Sequence, residues 1–161
     1  MKDEASPLLI LMIIAAFVVA NAFIYKGVFA PRAVEADVFA AGKSEATLLR
    51  TRSGAAILVD TGSDASILRA LGNALPPWQR SIDAVILTSG KVAQAGGLPS
   101  IESRYAVGAI LRAGTPDLPY GSTLTLDDIF LTITAPGSIT LSSGSTTLAI
   151  SSSTPPGTYP L

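Results

Sequence analysis

An α/β layered domain with a mixed sheet, carried behind one apolar N-terminal helix, is the fold class that this sequence predicts. Three observations predict it. Residues Leu8 to Tyr25 read LLILMIIAAFVVANAFIY, an apolar run broken only by Asn21. Downstream, segments of period-two alternation surround one segment whose apolar residues recur at helical spacing. Within them, Ile82 to Thr88 (IDAVILT) is apolar on both faces, as a buried parallel strand is, and parallel strands require crossover connections.

Composition closes several routes to chemistry. The 161 residues are 48% hydrophobic and provide for one small globular domain beyond the apolar run. The formal charge is -1, and after Ala30 9 Lys and Arg stand against 10 Asp and Glu, so no basic field exists to gather phosphates and direct nucleic-acid binding is not expected. The chain has no cysteine and no histidine. Disulfides, thiolate nucleophiles and iron–sulfur clusters are therefore excluded, and so are the imidazole and thiolate ligands of ordinary zinc sites and the commonest general base. No cofactor is expected, and no small-molecule substrate is identified.

The elements follow in order. Residues 8–25 form a transmembrane helix: about 18 residues at ~1.5 Å each nearly match a hydrocarbon core of ~30 Å. Pro7 suits the first helical turn, and Tyr25 with Lys26 supplies an aromatic and cationic anchor at the interface. The alternative is a cleaved signal peptide, with small residues at cleavage spacing in Ala20-Asn21-Ala22 and Val28-Phe29-Ala30, and hence a secreted protein. Asp3 and Glu4 beside Lys2, and the length of the apolar run, favour the uncleaved anchor. Residues 26–37 form a linker, and the domain occupies residues 38–153. Ala46 to Thr51 and Ala56 to Asp60 read as strands of a hairpin turning at Arg52-Ser53-Gly54. A helix capped by Ser63 or Asp64 places Ile67, Leu68, Leu71 and Leu75 on one face and stops at Pro76-Pro77. With Ile82 to Thr88 it completes a right-handed βαβ unit. Pro99 opens a short helix through Arg104, and Ala106 to Leu111 gives another buried strand. Leu124 to Leu126 and Ile129 to Thr134 alternate around Asp127-Asp128, and SITLSSGSTTLAIS forms a hairpin about Ser143-Gly144. The last residues, 154–161 (TPPGTYPL), read as an unstructured tail.

Two stretches, ATLLRTRSGAAILVDTG and IDAVILTSGKVAQAGGLPSIESRYAVGAILRAG, resemble the soluble metallo-β-lactamase-fold domain of ComEC/Rec2-type competence proteins, the membrane channels of DNA uptake. That family shows a run like DVGQGDAILIRT, a strand ending in DTG, and a strand followed by THPDADHIGGLP. The resemblance covers Val38 to Ala113 and, less closely, Leu124 to Ser151. It implies a small, truncated metallo-β-lactamase-like layered domain. Position by position, the family's first metal-binding histidine falls on Ser89, the next ligand on Lys91, the aspartate of the second metal on Ala93 and the final histidine on Gln94. All four are lost, and a lysine at Lys91 would repel a cation at close range. Asp60, Thr61 and Gly62 match the DTG, and Gly96 and Gly97 match the paired glycines, which read alone are a turn before Pro99. In the upstream motif Ala40 replaces the first Asp, only Gly42 survives and Glu45 is a partial match to the last acid. The family's later bridging Asp falls near Ser152.

Hydrolysis in that fold needs an ion to lower the pKa of bound water. The resemblance with its ligands lost therefore implies a non-catalytic, membrane-anchored domain: an accessory or interaction module of an envelope or DNA-uptake system, facing the extracytoplasmic side beside a polytopic membrane protein.

A second motif leads elsewhere. ILVDTGSDASIL is similar to the signature of retropepsin-like aspartic proteases, in which each protomer of a homodimer supplies one aspartate, here Asp60, to a proton-sharing dyad. Ala106-Val107-Gly108 is the loose counterpart of its second hallmark. The helical periodicity after DTGS argues against that nearly all-β fold. A third class is a truncated remnant without activity. Among other residues, Asp127-Asp128 read as hairpin-turn residues rather than a calcium site, Trp78 as a packing residue at the domain edge, and the Ser- and Thr-rich stretch from Ser138 to Thr154 as strands rather than a stalk. Ser44 and Ser89 lack a base to make either a nucleophile.

Overall fold

The computed structural model describes residues 12–21, 34–126, 129–151 and 153–161. The chain divides into two compact units, Met1–Pro31 and Arg32–Leu161. In the first, residues 12–21 are helical (α1). The rest of the apolar run, Ala22 of the first cleavage-like site and the whole of the second lie outside the described residues, among which no helix is long and apolar enough to cross a membrane.

The second unit holds two sheets. Strands β1 (Glu35–Ala41), β2 (Ser44–Arg50), β3 (Ala56–Val59), β4 (Ser81–Leu87), β5 (Ala106–Arg112) and β10 (Gly157–Pro160) form one sheet in the order β10-β1-β2-β3-β4-β5. Its β3-β4 and β4-β5 pairs are parallel and the others antiparallel, the mixed sheet expected from the sequence. Strands β6 (Thr123–Leu126), β7 (Ile129–Ala135), β8 (Ser138–Ser143) and β9 (Thr146–Ser151) form an antiparallel meander. Helices α2 (Ile67–Ala74), α3 (Val92–Ala95) and α4 (Leu98–Glu102) come from the connections after β3 and β4.

Side-chain alternation assigns each face of the first sheet to a different neighbour. Val38, Leu49, Ile57, Val59 and Ile86 meet the meander through Ile129, Leu131, Ile133, Ile139, Leu141 and Ile150. Leu48, Leu58, Val85 and Leu87 on the other face pack under Ile67 and Leu71 of α2 and Leu98 and Ile101 of α4. Each such Leu or Ile contributes about 1.5–3 kcal/mol on burial. The layers are thus helix, sheet, sheet. The outer face of the meander has no helical cover among the described residues, and its side chains there are mostly Thr and Ser, with Phe130 the exposed aromatic.

Several expectations need correction. β1 opens at Glu35, inside the segment read as linker. The expected unstructured tail contains β10, which pairs with β1 from Glu35↔Pro160 to Val38↔Gly157. Thr158 Oγ1 donates to Asp37 Oδ1 at 2.5 Å, and prolines are tolerated because the strand is an edge. β5 is not buried: it closes the opposite edge, and most of its residues are exposed because Ala and Gly bring little surface to cover. Trp78 is not a packing residue and stands 81% exposed. α2 starts after Ser66 without a side-chain cap, while Asp64 Oδ1 closes the preceding turn by accepting from Ser66 N at 2.8 Å. Leu75 turns extended, as the residue before Pro76 must. Asp127 and Asp128 lie outside the described residues, as does Ser152.

Candidate functional site

The carboxyl ends of β3 and β4 converge on Asp60, the residue that follows β3. It is the only non-glycine described residue with positive φ, at 57°, a conformation that is sparsely populated and held only when its surroundings over-determine it. Those surroundings are bonds. Asp60 N donates to Ile86 O at 2.8 Å. Its carboxylate accepts from Thr88 N at Oδ1 and from Thr88 Oγ1 at Oδ2, both at 2.7 Å. Thr88 Oγ1 accepts in turn from Gly137 N at 2.7 Å, in the β7-β8 turn, and Thr88 O accepts from Tyr120 OH at 2.9 Å. Asp60, Thr88 and Gly137 therefore form a polar chain from the first sheet to the second. Burial pushes the Asp60 carboxyl up to about 6, against the two Thr88 bonds that pull it down.

The two motif segments are interlocked. Thr61 N and Thr61 Oγ1 both donate to Gln94 O, at 2.7 and 3.0 Å, and Gly97 N donates to Gly62 O at 3.1 Å. A Cβ on Gly97 would collide with the backbone oxygen of Thr61, and one on Gly62, whose φ is 72°, with the side chain of Ala41. The paired glycines are thus required by close approach of one backbone to another rather than by a turn alone. Ser44 Oγ ties the β1-β2 turn to the same loop by donating to Ala93 O at 2.6 Å.

These segments frame a cleft of about 430 Å³ between the two sheets. Lys43, Glu45, Asp60 and Gln94 line it from the first sheet and its loops, and Gly137 and Ile150 from the meander. Of the four lost-ligand positions, Ala93 and Gln94 line the cleft, Ser89 is buried and accepts from Lys91 N at 3.1 Å, and Lys91 is exposed at the start of α3. The cationic residue of the lining is Lys43, a residue to which the sequence reading gave no role, so the repulsion assigned to Lys91 is not located there. Thr88 was missed as well. A threonine at a strand end carries no signal in sequence, and its partners lie 28 and 49 residues away.

The residues present do not fit the metal that the resemblance implies. The Asp60 oxygens are engaged by Thr88, and no group of three or more Asp, Glu, His or Cys side chains is brought together among the described residues. Glu45, whose carboxyl is raised by partial burial, leaves Oε2 without a partner, and Gln94 Oε1 is likewise unpaired. Two lone acceptors from a carboxylate and an amide fall short of a zinc shell. The aspartic-protease reading finds no footing either: both Asp60 oxygens are filled by Thr88 of the same chain, and the stretch after DTGS coils into α2 and a parallel strand.

No family model matches the chain, and no curated protein does. Among solved structures it is similar to the Rm3 metallo-β-lactamase, at 18% identity and a TM-score of 0.46, over 66% of this chain and 54% of that one. It is also similar to MEM-A1, a subclass B3 metallo-β-lactamase isolated from a soil metagenome library, at 14% identity and a TM-score of 0.49, over 75% of this chain and 60% of that one. For a metallo-β-lactamase from Hirschia baltica the values are 13% and 0.38, over 68% of this chain and 67% of that one.

Proposed function

We propose that this chain is a membrane-tethered, non-hydrolytic domain on a metallo-β-lactamase-like frame, related to the soluble domain of ComEC-type proteins and serving an envelope or DNA-uptake assembly as an interaction module on the extracytoplasmic side. One observation carries the reading: the frame is kept while the chemistry is not. Asp60-Thr61-Gly62 and Gly96-Gly97 pack backbone on backbone, yet the positions that should hold ligands are Ser89, Lys91, Ala93 and Gln94. A chain that built such closeness for metal hydrolysis would need imidazole or carboxylate at those positions. In their place the cleft offers the Gln94 amide, the Lys43 amine and the Glu45 carboxyl, groups suited to holding a polar partner rather than to activating water. The anchor rests on the apolar run from Leu8 to Tyr25, and the polytopic partner on the resemblance.

Two measurements test this. The full-length chain in detergent, dialysed against zinc and manganese and then against metal-free buffer, is expected to retain no stoichiometric metal and to melt at the same temperature with and without chelator. Retained metal, or a melting temperature that chelator lowers, would overturn the non-hydrolytic reading and point to a new site built on Glu45. Mild solubilisation of membranes is expected to bring down the chain with a polytopic protein; repeated recovery of the chain alone counts against the assembly.

A further inference from the structure

The end of the domain opposite the cleft has its own chemistry. Strands β3, β4 and β5 are parallel, so Ala56, Ser81 and Ala106 all begin at one end of the sheet. β1 is antiparallel to β2, which is antiparallel to β3, so β1 begins at that end too, and the chain enters the domain there, at Val34 and Glu35. The cleft is at the other end, where β3 and β4 finish and β1 turns into β2.

Trp78, the one tryptophan of the chain, stands at the end where the chain enters. Pro76 and Pro77 stiffen the loop that presents it, and it lines the same groove as Glu35, Arg50 and Gln79. Arg80 and Arg104 are exposed at the same end, in the segments that lead into β4 and β5 and that are joined by Ala106 N donating to Arg80 O at 2.8 Å. Two of the nearby acids are engaged: Glu35 pairs with Arg50 at 2.7 Å, and Asp83 accepts from Ala56 N at 2.7 Å. Glu102, at the end of α4, is exposed. An exposed indole that shares one end of a domain with guanidinium groups is the combination that bilayer interfaces accept, the ring at headgroup level and the cations against phosphate.

We infer that this end of the domain rests on the phospholipid surface of the bilayer that holds the chain, with Trp78 among the headgroups and Arg80 and Arg104 against lipid phosphates, so that the cleft faces away from the membrane. The inference rests on the reading of residues 8–25 as an uncleaved anchor. Reach is sufficient: the residues from Tyr25 to Val34 span up to about 30 Å fully extended.

Because the chain has a single tryptophan, its fluorescence reports this site alone. The full-length chain is reconstituted into vesicles of phosphatidylcholine and phosphatidylglycerol and floated on a density gradient. The expected result is that Trp78 emission loses most of its intensity to lipids brominated high on the acyl chain and little to aqueous iodide. Joint replacement Arg80→Gln and Arg104→Gln is expected to reverse that preference. A chain that floats with the vesicles and resists carbonate extraction, but whose tryptophan is quenched by iodide and not by brominated lipid, keeps the anchor and overturns the docking. A chain that does not float, or that carbonate releases, overturns the anchor and the docking with it.

Discussion

Asp60 shows how a site residue is held against its own preferences. Burial raises its carboxyl from 3.8 to about 6, so the folded state binds a proton more tightly than the unfolded chain does. The sign follows: below pH ~4 both states are protonated and burial costs nothing, whereas as pH rises toward 6 the unfolded chain ionises first and stability falls. Across that window the loss is on the order of 3 kcal/mol, and Glu45 is shifted in the same direction. Asp60→Asn should remove most of the slope. Its Oδ1 still accepts from Thr88 N, its amide donates to Thr88 Oγ1, and asparagine tolerates a positive φ. Urea unfolding at pH 4.5 and 7.5 is expected to give a flatter profile than the parent chain and a higher midpoint at pH 7.5, with Asp60→Ala less stable at both. If Asn destabilises as much as Ala at pH 7.5, the charge is an asset rather than a cost. The sequence places Asp60 at the end of a strand, and it directly follows β3. The left-handed φ and the second bond from the Thr88 hydroxyl depend on strand register, which a motif does not encode.

At the scale of elements, legibility follows burial. β2, β3, β4 and the meander strands are readable because their alternation or continuous apolarity records what covers them. β10 is unreadable, since an edge strand of Gly, Thr, Tyr and Pro draws its order from pairing with β1 rather than from its own apolar face. β5 misleads in the other direction, because apolar residues on both faces imply burial that its edge position does not supply. The glycine interlock between the DTG turn and the loop leading into α4 is the element-level feature that the sequence records most directly. It makes a sharp prediction. In Gly97→Ala the new Cβ meets the Thr61 carbonyl oxygen, a backbone atom with nowhere to retreat, whereas Gly90, in the same connection, has nothing within 4 Å of a Cβ. Gly97→Ala is expected to cost about 2–3 kcal/mol, the upper part of the range for overpacking, and Gly90→Ala to leave the urea midpoint unchanged. Equal effects at the two positions would mean that the connection is loosely packed and the motif glycines are incidental.

The domain has one helical layer over a mixed sheet and a second sheet whose outer face no helix covers among the described residues. Such an architecture fits two histories, a working domain and a decaying remnant, and they differ in cooperativity. The core between the sheets draws on β1, β2, β3 and β4 from one side and β7, β8 and β9 from the other, so neither sheet buries its inner face without its partner. The Asp60, Thr88 and Gly137 chain adds a polar tie across the same interface. Loss of the meander would expose Ile57, Val59 and Ile86 together, at roughly 1.5–3 kcal/mol each, a cost too large for the first sheet to bear alone in a domain whose total stability is about 5–15 kcal/mol. The two sheets should therefore unfold together. Native-state hydrogen exchange is expected to give the slowest amides of β3 and β4 and those of β7 and β8 a common free energy of opening, equal to that of global unfolding. Thr88→Val, which removes the hydroxyl from the tie, should lower both sets by the same amount. If the meander opens at a much lower free energy than the first sheet, the second half of the fold is an appendage, and the remnant history gains over the one in which the cleft between the sheets is kept for use.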